Sequence, residues 1–182
     1  MRIRFCVLDR SFKSQQFVDP LLGQDSLARL FLWIADDRGV KIVRLGSSRP
    51  AGSARKDDHD DHRSTTRRFA GRVVVFLGFC PKLAAEVYAA GDAFLIPSRA
   101  EPCGLIDLIA QLNGNVPLVN QVGGLSKVID GHTGIGYFAL NDRENLRGLV
   151  TAMHKFLDLH RDPGKLDRIR RAANNHVRDR HN

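Results

Sequence analysis

Apolar positions along the chain alternate between short continuous runs and longer stretches with helical spacing. The continuous runs predict six strands, over about residues 3–8, 40–45, 73–77, 93–96, 116–119 and 134–138. The helical spacing predicts helices over about residues 25–39, 81–90, 104–113, 142–160 and 163–177. Apolar strands that alternate with helices are typical of a parallel sheet covered on both faces. We therefore expect a doubly wound, Rossmann-like α/β fold.

The length of 182 residues fits one such domain over residues 1–182. Residues 47–66 carry no periodicity and predict an exposed, mobile loop. His59 and His62 stand there among aspartates, and a hydrated loop is favoured over a metal site because no further ligand cluster accompanies them. No apolar run approaches 18 residues, and the three cysteines show no zinc spacing. These features favour a cytoplasmic protein with reduced thiols and no membrane span.

The net charge of +8 raises the hypothesis of nucleic-acid binding. Residues 47–72 carry a net charge of +3 and residues 161–182 carry +4, so two segments hold nearly all of the excess. A groove binder is expected to spread its basic residues along one face with interleaved aromatic residues. The location of the charge therefore makes nucleic acid a weak prediction.

The loops that follow the strands are the places to look for chemistry, because ligands of doubly wound sheets bind beyond the carboxyl ends of the strands. The segment Pro97–Leu105 runs from a strand into a turn, and Gly104 opens the next helix. The free N–H groups of that helix end suit a phosphate. Glu101 stands just before this positive end, where its carboxylate can also accept hydrogen bonds from sugar hydroxyls. A solvated glutamate at a helix entry is the alternative.

Three further loops offer weaker signals. Gly123 and Gly124 follow another strand, and they either let the backbone approach a phosphate or simply form a tight turn. Arg10 and Lys13 follow the first strand, where they can neutralise a pyrophosphate or serve as ordinary surface charge. Phe79 follows the third strand and can stack on a base or cap the core.

Taken together, these segments resemble a known family. The run from Phe76 to Phe138 is similar to the C-terminal, nucleotide-sugar-binding domain of bacterial glycogen synthases and plant starch synthases, glycosyltransferase family 5. Those enzymes are retaining glycosyltransferases with the two-lobed GT-B fold. The matching stretches are Leu77-Gly78-Phe79, Val87-Tyr88-Ala89-Ala90-Gly91-Asp92, Pro97-Ser98-Arg99-Ala100-Glu101-Pro102-Cys103-Gly104-Leu105 and Gly123-Gly124-Leu125.

The resemblance implies roles for individual residues. Glu101 is similar to the glutamate that holds the donor glucose, and Arg10 to the arginine that grips the pyrophosphate and supports the leaving nucleotide. Phe79 stands at the position of the ring that stacks on adenine. The positions where sugar and phosphate meet the protein are matched by Cys103, Gly104, Leu105, Gly123 and Gly124, with Lys13 close to a family lysine. The implied donor is ADP-glucose, the implied acceptor is an α-1,4-glucan, and neither a metal nor an organic cofactor is expected.

Departures from the family pattern set limits on this interpretation. Polar residues of the family are replaced at Gln15, Ala85, Ile106, Asp107 and Val122, and each change removes or alters a ligand to phosphate or sugar. Family members also need an N-terminal acceptor lobe, for which 182 residues leave no room. We therefore expect a donor-binding lobe of a glucan synthase that is inactive without its partner lobe. A non-catalytic nucleotide-sugar-binding protein is the alternative, and a basic nucleic-acid or polyanion binder is a weaker one.

Overall fold

A computed structural model describes residues 3–9, 40–46, 73–77 and 81–180 of the chain. In these segments six strands form one sheet: Ile3–Asp9 (β1), Val40–Gly46 (β2), Val73–Leu77 (β3), Ala93–Ile96 (β4), Val116–Asn120 (β5) and Ile135–Tyr137 (β6). Every neighbouring pair is parallel, and the order is β3-β2-β1-β4-β5-β6. The predicted doubly wound, Rossmann-like α/β fold is confirmed.

The helices of the described part also lie where the apolar spacing predicts them. They are Pro81–Ala90 (α1), Leu105–Leu112 (α2), Asp142–His160 (α3) and Pro163–Arg180 (α4), with a short 3₁₀ turn at Gly123–Lys127. Asn141 caps α3 by accepting a hydrogen bond from the Glu144 N–H at 3.0 Å. The predicted helix at 25–39 and the predicted loop at 47–66 lie outside the described residues.

Two apolar clusters cover the two faces of the sheet. Ala93 and Leu95 of β4 point to one face, where they pack with Phe156 and Met153 of α3. Phe94 and Ile96 point to the other face, towards residues of α1, α2 and the 3₁₀ turn. Because β4 is buried on both faces, its sequence reads as a continuous apolar run rather than an alternating one.

The direction of winding reverses beside β1. This strand pairs with β2 on one side and with β4 on the other, so the crevice between the carboxyl ends of β1 and β4 is the topological switch point. The turn that contains Glu101 follows β4 directly and therefore begins at this crevice. In the described ranges, none of the helices combines the length and apolar composition that a membrane span requires.

Candidate functional site

The turn between β4 and α2 holds the Glu101 carboxylate at the start of the helix. The Gly104 N–H donates to Glu101 Oε1 at 3.3 Å, and the Ser98 hydroxyl donates to Oε2 at 3.5 Å. Gly104 is the N-cap of α2, and its φ of +65° lies in the left-handed region that favours glycine. The carboxylate is only partly buried, so its remaining lone pairs are accessible to a hydrogen-bond donor from outside the protein.

A second turn, Gly123–Lys127, packs against this one backbone to backbone. The Gly124 N–H donates to the Glu101 carbonyl oxygen at 2.6 Å. A Cβ on Gly124 would lie 2.3 Å from the Cys103 carbonyl carbon, and a Cβ on Gly123 would lie 2.4 Å from the Glu101 carbonyl oxygen. Close contact between the two turns therefore requires both glycines. Their approach to a phosphate stays a prediction.

Lys127 and Asp107 join the two turns through charge. The Lys127 ammonium lies 3.1 Å from Asp107 Oδ1, and it donates to three backbone carbonyl oxygens of the two turns. Asp107 is fully buried in the first turn of α2, and its Oδ2 accepts a hydrogen bond from Gln111 Nε2 at 3.3 Å. Sequence reasoning did not find Lys127. The available signal was Asp107 itself, a carboxylate inside the apolar run 105–109 that needs a buried partner.

Burial raises the pKa of the Asp107 carboxyl above its ordinary value of 3.8, and the Lys127 ammonium offsets this only in part. In the unfolded chain this carboxyl loses its proton near the ordinary value, whereas the native state keeps the proton to higher pH. The native state therefore binds more protons in the window that opens near pH 4. The free energy of unfolding must fall as pH rises through that window.

Replacing Asp107 by asparagine should remove this part of the pH dependence without unfolding the protein. The Asn side-chain oxygen can take the place of Asp107 Oδ1, 3.1 Å from the Lys127 ammonium, and a flip of the Gln111 amide lets its otherwise unpartnered Oε1 accept a hydrogen bond from the new amide. A tenfold difference in proton affinity between the two states corresponds to ~1.4 kcal/mol. Urea unfolding at pH 4.5 and pH 7 checks this: the slope between the two pH values should be smaller in Asp107→Asn. An unchanged slope would contradict the assignment.

Two buried asparagines hold the carboxyl ends of the strands together. Asn120, the last residue of β5, donates from Nδ2 to the Ser98 carbonyl oxygen at 2.9 Å and accepts from the Ala139 N–H at 3.0 Å. Asn145 of α3 donates to the Pro97 carbonyl oxygen at 3.0 Å and accepts from the Tyr137 hydroxyl at 2.7 Å. The apolar run predicts a strand that ends at residue 119, and the structure extends β5 to Asn120.

A cavity of about 260 Å³ opens at the same edge of the sheet. It lies between the ends of β4, β5 and β6 and the start of α3, and Asn120, Asn145 and Leu140 line it. Arg99, two residues before Glu101, forms an ion pair with Asp142 at its wall. The edge that carries the Glu101 turn is therefore concave and rich in polar groups.

The structure brings most of the predicted site residues into one place. The two facing turns contain Glu101, Cys103, Gly104, Leu105, Gly123 and Gly124. Cys103 is exposed, and 61% of Leu105 is exposed at the start of α2. Arg10, Lys13 and Phe79 lie outside the described residues, so their predicted roles stay predictions.

A doubly wound parallel sheet with a carboxylate-bearing turn and a helix N-terminus at its switch point defines a class, the Rossmann-like ligand-binding lobes. The chain belongs to the family of glycosyl transferases group 1, whose sequence profile matches residues 23–158. This match, together with the glycogen and starch synthase relatives described next, confirms the resemblance that the sequence shows to those synthases.

Within this family, the chain is similar to glycogen synthases and starch synthases. A glycogen synthase from Lactobacillus acidophilus is 32% identical over 143 residues, which are 74% of this chain and 28% of that protein. The chain thus spans just over a quarter of the length of that relative. The catalytic domain of starch synthase IV from Arabidopsis thaliana, bound to ADP and acarbose, superposes with a TM-score of 0.71 at 20% identity, over 94% of this chain and 34% of that one.

One similar solved structure consists of a single domain. The C-terminal domain of a glycosyl transferase group 1 family protein from Francisella tularensis superposes with a TM-score of 0.69 at 16% identity. The match covers 98% of this chain and 86% of that domain. The described fold is therefore that of one GT-B lobe.

Proposed function

We propose that this chain is the donor-binding lobe of a glycogen or starch synthase-like glycosyltransferase, with ADP-glucose as its donor. The observation that carries the proposal is the Glu101 carboxylate held against the Gly104 N–H at the start of α2, beside the switch point. The ADP-bound starch synthase structure and the glycogen synthase relative support the choice of donor. Transfer to an α-1,4-glucan would need a second lobe that carries the acceptor, and the lobe alone is proposed to be inactive.

The chemistry divides between the two ends of the donor. The helix N-terminus suits the phosphates, because its free N–H groups and the helix dipole favour negative charge. Glu101 accepts hydrogen bonds from glucose hydroxyls and so selects the sugar. Arg10, the next residue in the sequence after β1, is proposed to stabilise the charge that develops on the departing ADP. No step in this scheme requires a metal or an organic cofactor.

A non-catalytic nucleotide-sugar-binding protein is the second candidate. It is favoured by Asp107, which replaces a polar family ligand. The Asp107 carboxylate already forms an ion pair with Lys127 and accepts a hydrogen bond from Gln111, so it does not face a ligand. Polyanion binding has less support. Four basic residues of the C-terminal region already pair with carboxylates, namely Arg161, Lys165, Arg170 and Arg171.

Calorimetric titration with ADP, ADP-glucose and UDP-glucose tests the proposal. We expect saturable binding of ADP and ADP-glucose, and weaker binding of UDP-glucose. No saturable binding at millimolar ADP or ADP-glucose would overturn it. Release of ADP in the presence of glycogen would show that the single lobe is active and would contradict the proposed need for a second lobe. Binding of an oligonucleotide, with affinity that falls steeply with salt, would favour the polyanion alternative.

Replacing Glu101 by alanine should weaken ADP-glucose binding far more than ADP binding, because the carboxylate is proposed to contact only the sugar. Hydrogen bonds to a charged group contribute about 1.5–3 kcal/mol, which corresponds to roughly a tenfold to hundredfold loss of affinity. The measurement is the ratio of the two dissociation constants. Glu86→Ala, an exposed glutamate on α1, is the control and should leave the ratio unchanged. An unchanged ratio in Glu101→Ala would remove the sugar-binding role.

A further inference from the structure

The Lys127 ammonium is the point where the two turns of the candidate site meet. It donates to the carbonyl oxygens of Cys103 at 3.1 Å and Gly104 at 2.7 Å in the first turn. It also donates to the carbonyl oxygen of Gly124 at 2.7 Å in its own turn. The Asp107 carboxylate lies 3.1 Å away and supplies the counter-charge. One cation therefore links both turns to the first turn of α2.

This arrangement leaves the ammonium no capacity for a ligand. An ammonium carries three N–H groups, and four protein oxygens already lie within 3.1 Å of Lys127 Nζ. Only 22% of the side chain is exposed. A phosphate could bind to Lys127 only after breaking contacts within the protein. Any effect of Lys127 on a ligand must therefore act through the groups that it holds.

Those groups are the ones that the proposed donor site uses. In the turn from Glu101 to Gly104, the Gly104 N–H donates a hydrogen bond to the Glu101 carboxylate. The Gly124 N–H donates to the Glu101 carbonyl oxygen and so holds the same turn from the other side. We propose that Lys127 is a positioning residue: its ammonium ties the Glu101–Gly104 turn to the Gly123–Lys127 turn and thereby sets the pose of the Glu101 carboxylate. The role in donor binding rests on the proposed function, whereas the tie between the turns does not.

The experiment compares Asp107→Asn with the double variant Asp107→Asn, Lys127→Met. Lys127→Met alone would leave a buried carboxylate without its counter-charge, so loss of folding would hide any positioning effect. Both chosen proteins have an uncharged side chain at position 107, and they differ at position 127, where methionine keeps an unbranched side chain but lacks the ammonium. The three carbonyl contacts persist in the single variant and are absent from the double variant.

Two readouts are needed, each at a temperature where circular dichroism shows both variants folded. Amide hydrogen exchange at Glu101, Cys103 and Gly104 and in residues 123–127 reports the tie itself, and it should be at least tenfold faster in the double variant. Calorimetry reports the donor site, where ADP-glucose should bind at least tenfold more weakly to the double variant than to Asp107→Asn. Lys155→Met is the control, because it removes an ammonium whose ion pair, with Asp130 at 3.5 Å, is exposed and involves neither of the two turns.

Each outcome decides a different claim. Unchanged hydrogen exchange in the double variant would overturn the tie, whether or not the protein binds a nucleotide sugar. Faster exchange with unchanged ADP-glucose affinity would overturn the positioning role and leave Lys127 as a purely structural residue. Absence of ADP-glucose binding in the unmodified protein and in Asp107→Asn would overturn the proposed function, while the exchange data would still decide the tie.

Discussion

Alanine at position 124 should abolish donor binding and lower the free energy of unfolding by about 1–3 kcal/mol. The added methyl group would lie 2.3 Å from the Cys103 carbonyl carbon, 2.5 Å from its oxygen and 2.7 Å from the Gly104 nitrogen. All three atoms belong to backbone, so no flexible side chain can move aside. The two turns must separate, and that movement displaces the Gly124 N–H from the Glu101 carbonyl oxygen that it bonds at 2.6 Å.

Calorimetry with ADP-glucose and urea unfolding check the two parts of this prediction. Gly164→Ala is the matched control, because the nearest heavy atom to its added methyl group is Asp162 Oδ1 at an ordinary 3.5 Å. Within α4 this change should be neutral or slightly stabilising and should leave binding unchanged. If Gly124→Ala bound ADP-glucose as tightly as the control, contact between the turns would not matter for the site.

The scaffold was predictable from the sequence because its strands are buried on both faces and its helices show clear apolar spacing. Val116–Asn120 illustrates the limit of that signal. Its four apolar residues predict a strand, but Asn120 at its end looked like the start of a polar loop. The asparagine belongs to the strand because its amide meets the Ser98 carbonyl oxygen and the Ala139 N–H, and both partners come from distant segments. The pattern of apolar and polar residues along the chain does not reveal hydrogen bonds between segments that are distant in sequence.

The candidate site shows the same division. Glu101 and Gly104 were predictable, because a carboxylate and a glycine between an apolar strand and an amphipathic helix point to a helix N-terminus. The role of Gly123 and Gly124 could be predicted only in part. Paired glycines indicate a close approach, and only the structure identifies the Glu101–Gly104 backbone as the approaching group. Lys127 was missed because a lysine in a polar turn is indistinguishable in sequence from a solvated one.

Aspartate in place of Asn120 should be the most destabilising change at the edge that carries the site. The substitution keeps the shape but replaces an amide donor by a carboxylate oxygen that faces the Ser98 carbonyl oxygen at 2.9 Å. Position 120 is only 1% exposed, so water can relieve little of the repulsion between the two acceptors. We expect a loss of about 3 kcal/mol or more in the free energy of unfolding at pH 7, because a buried charge is left without a donor on that side.

Acid should restore much of the stability lost in Asn120→Asp, and this separates the charge effect from simple loss of packing. Burial and the facing carbonyl oxygen both raise the pKa of the new carboxyl in the native state, so the folded variant binds a proton that the unfolded chain releases. Its stability therefore rises as pH falls from 7 towards 4.5, because the protonated carboxyl can donate to the Ser98 oxygen as the amide did. Urea unfolding at both pH values measures this.

Asn113→Asp is the control, since its exposed amide donates to the Ile109 carbonyl oxygen at 2.9 Å where water can replace it. Relative to the unmodified protein, this change should cost less than about 1 kcal/mol, and that difference should depend little on pH. Equal losses in the two variants at pH 7 would mean that Asn120 does not hold the strand ends together. A large loss confined to Asn120→Asp, relieved by acid, would show that one buried amide, which bonds the segments following β4 and β6, stabilises the edge that carries Glu101.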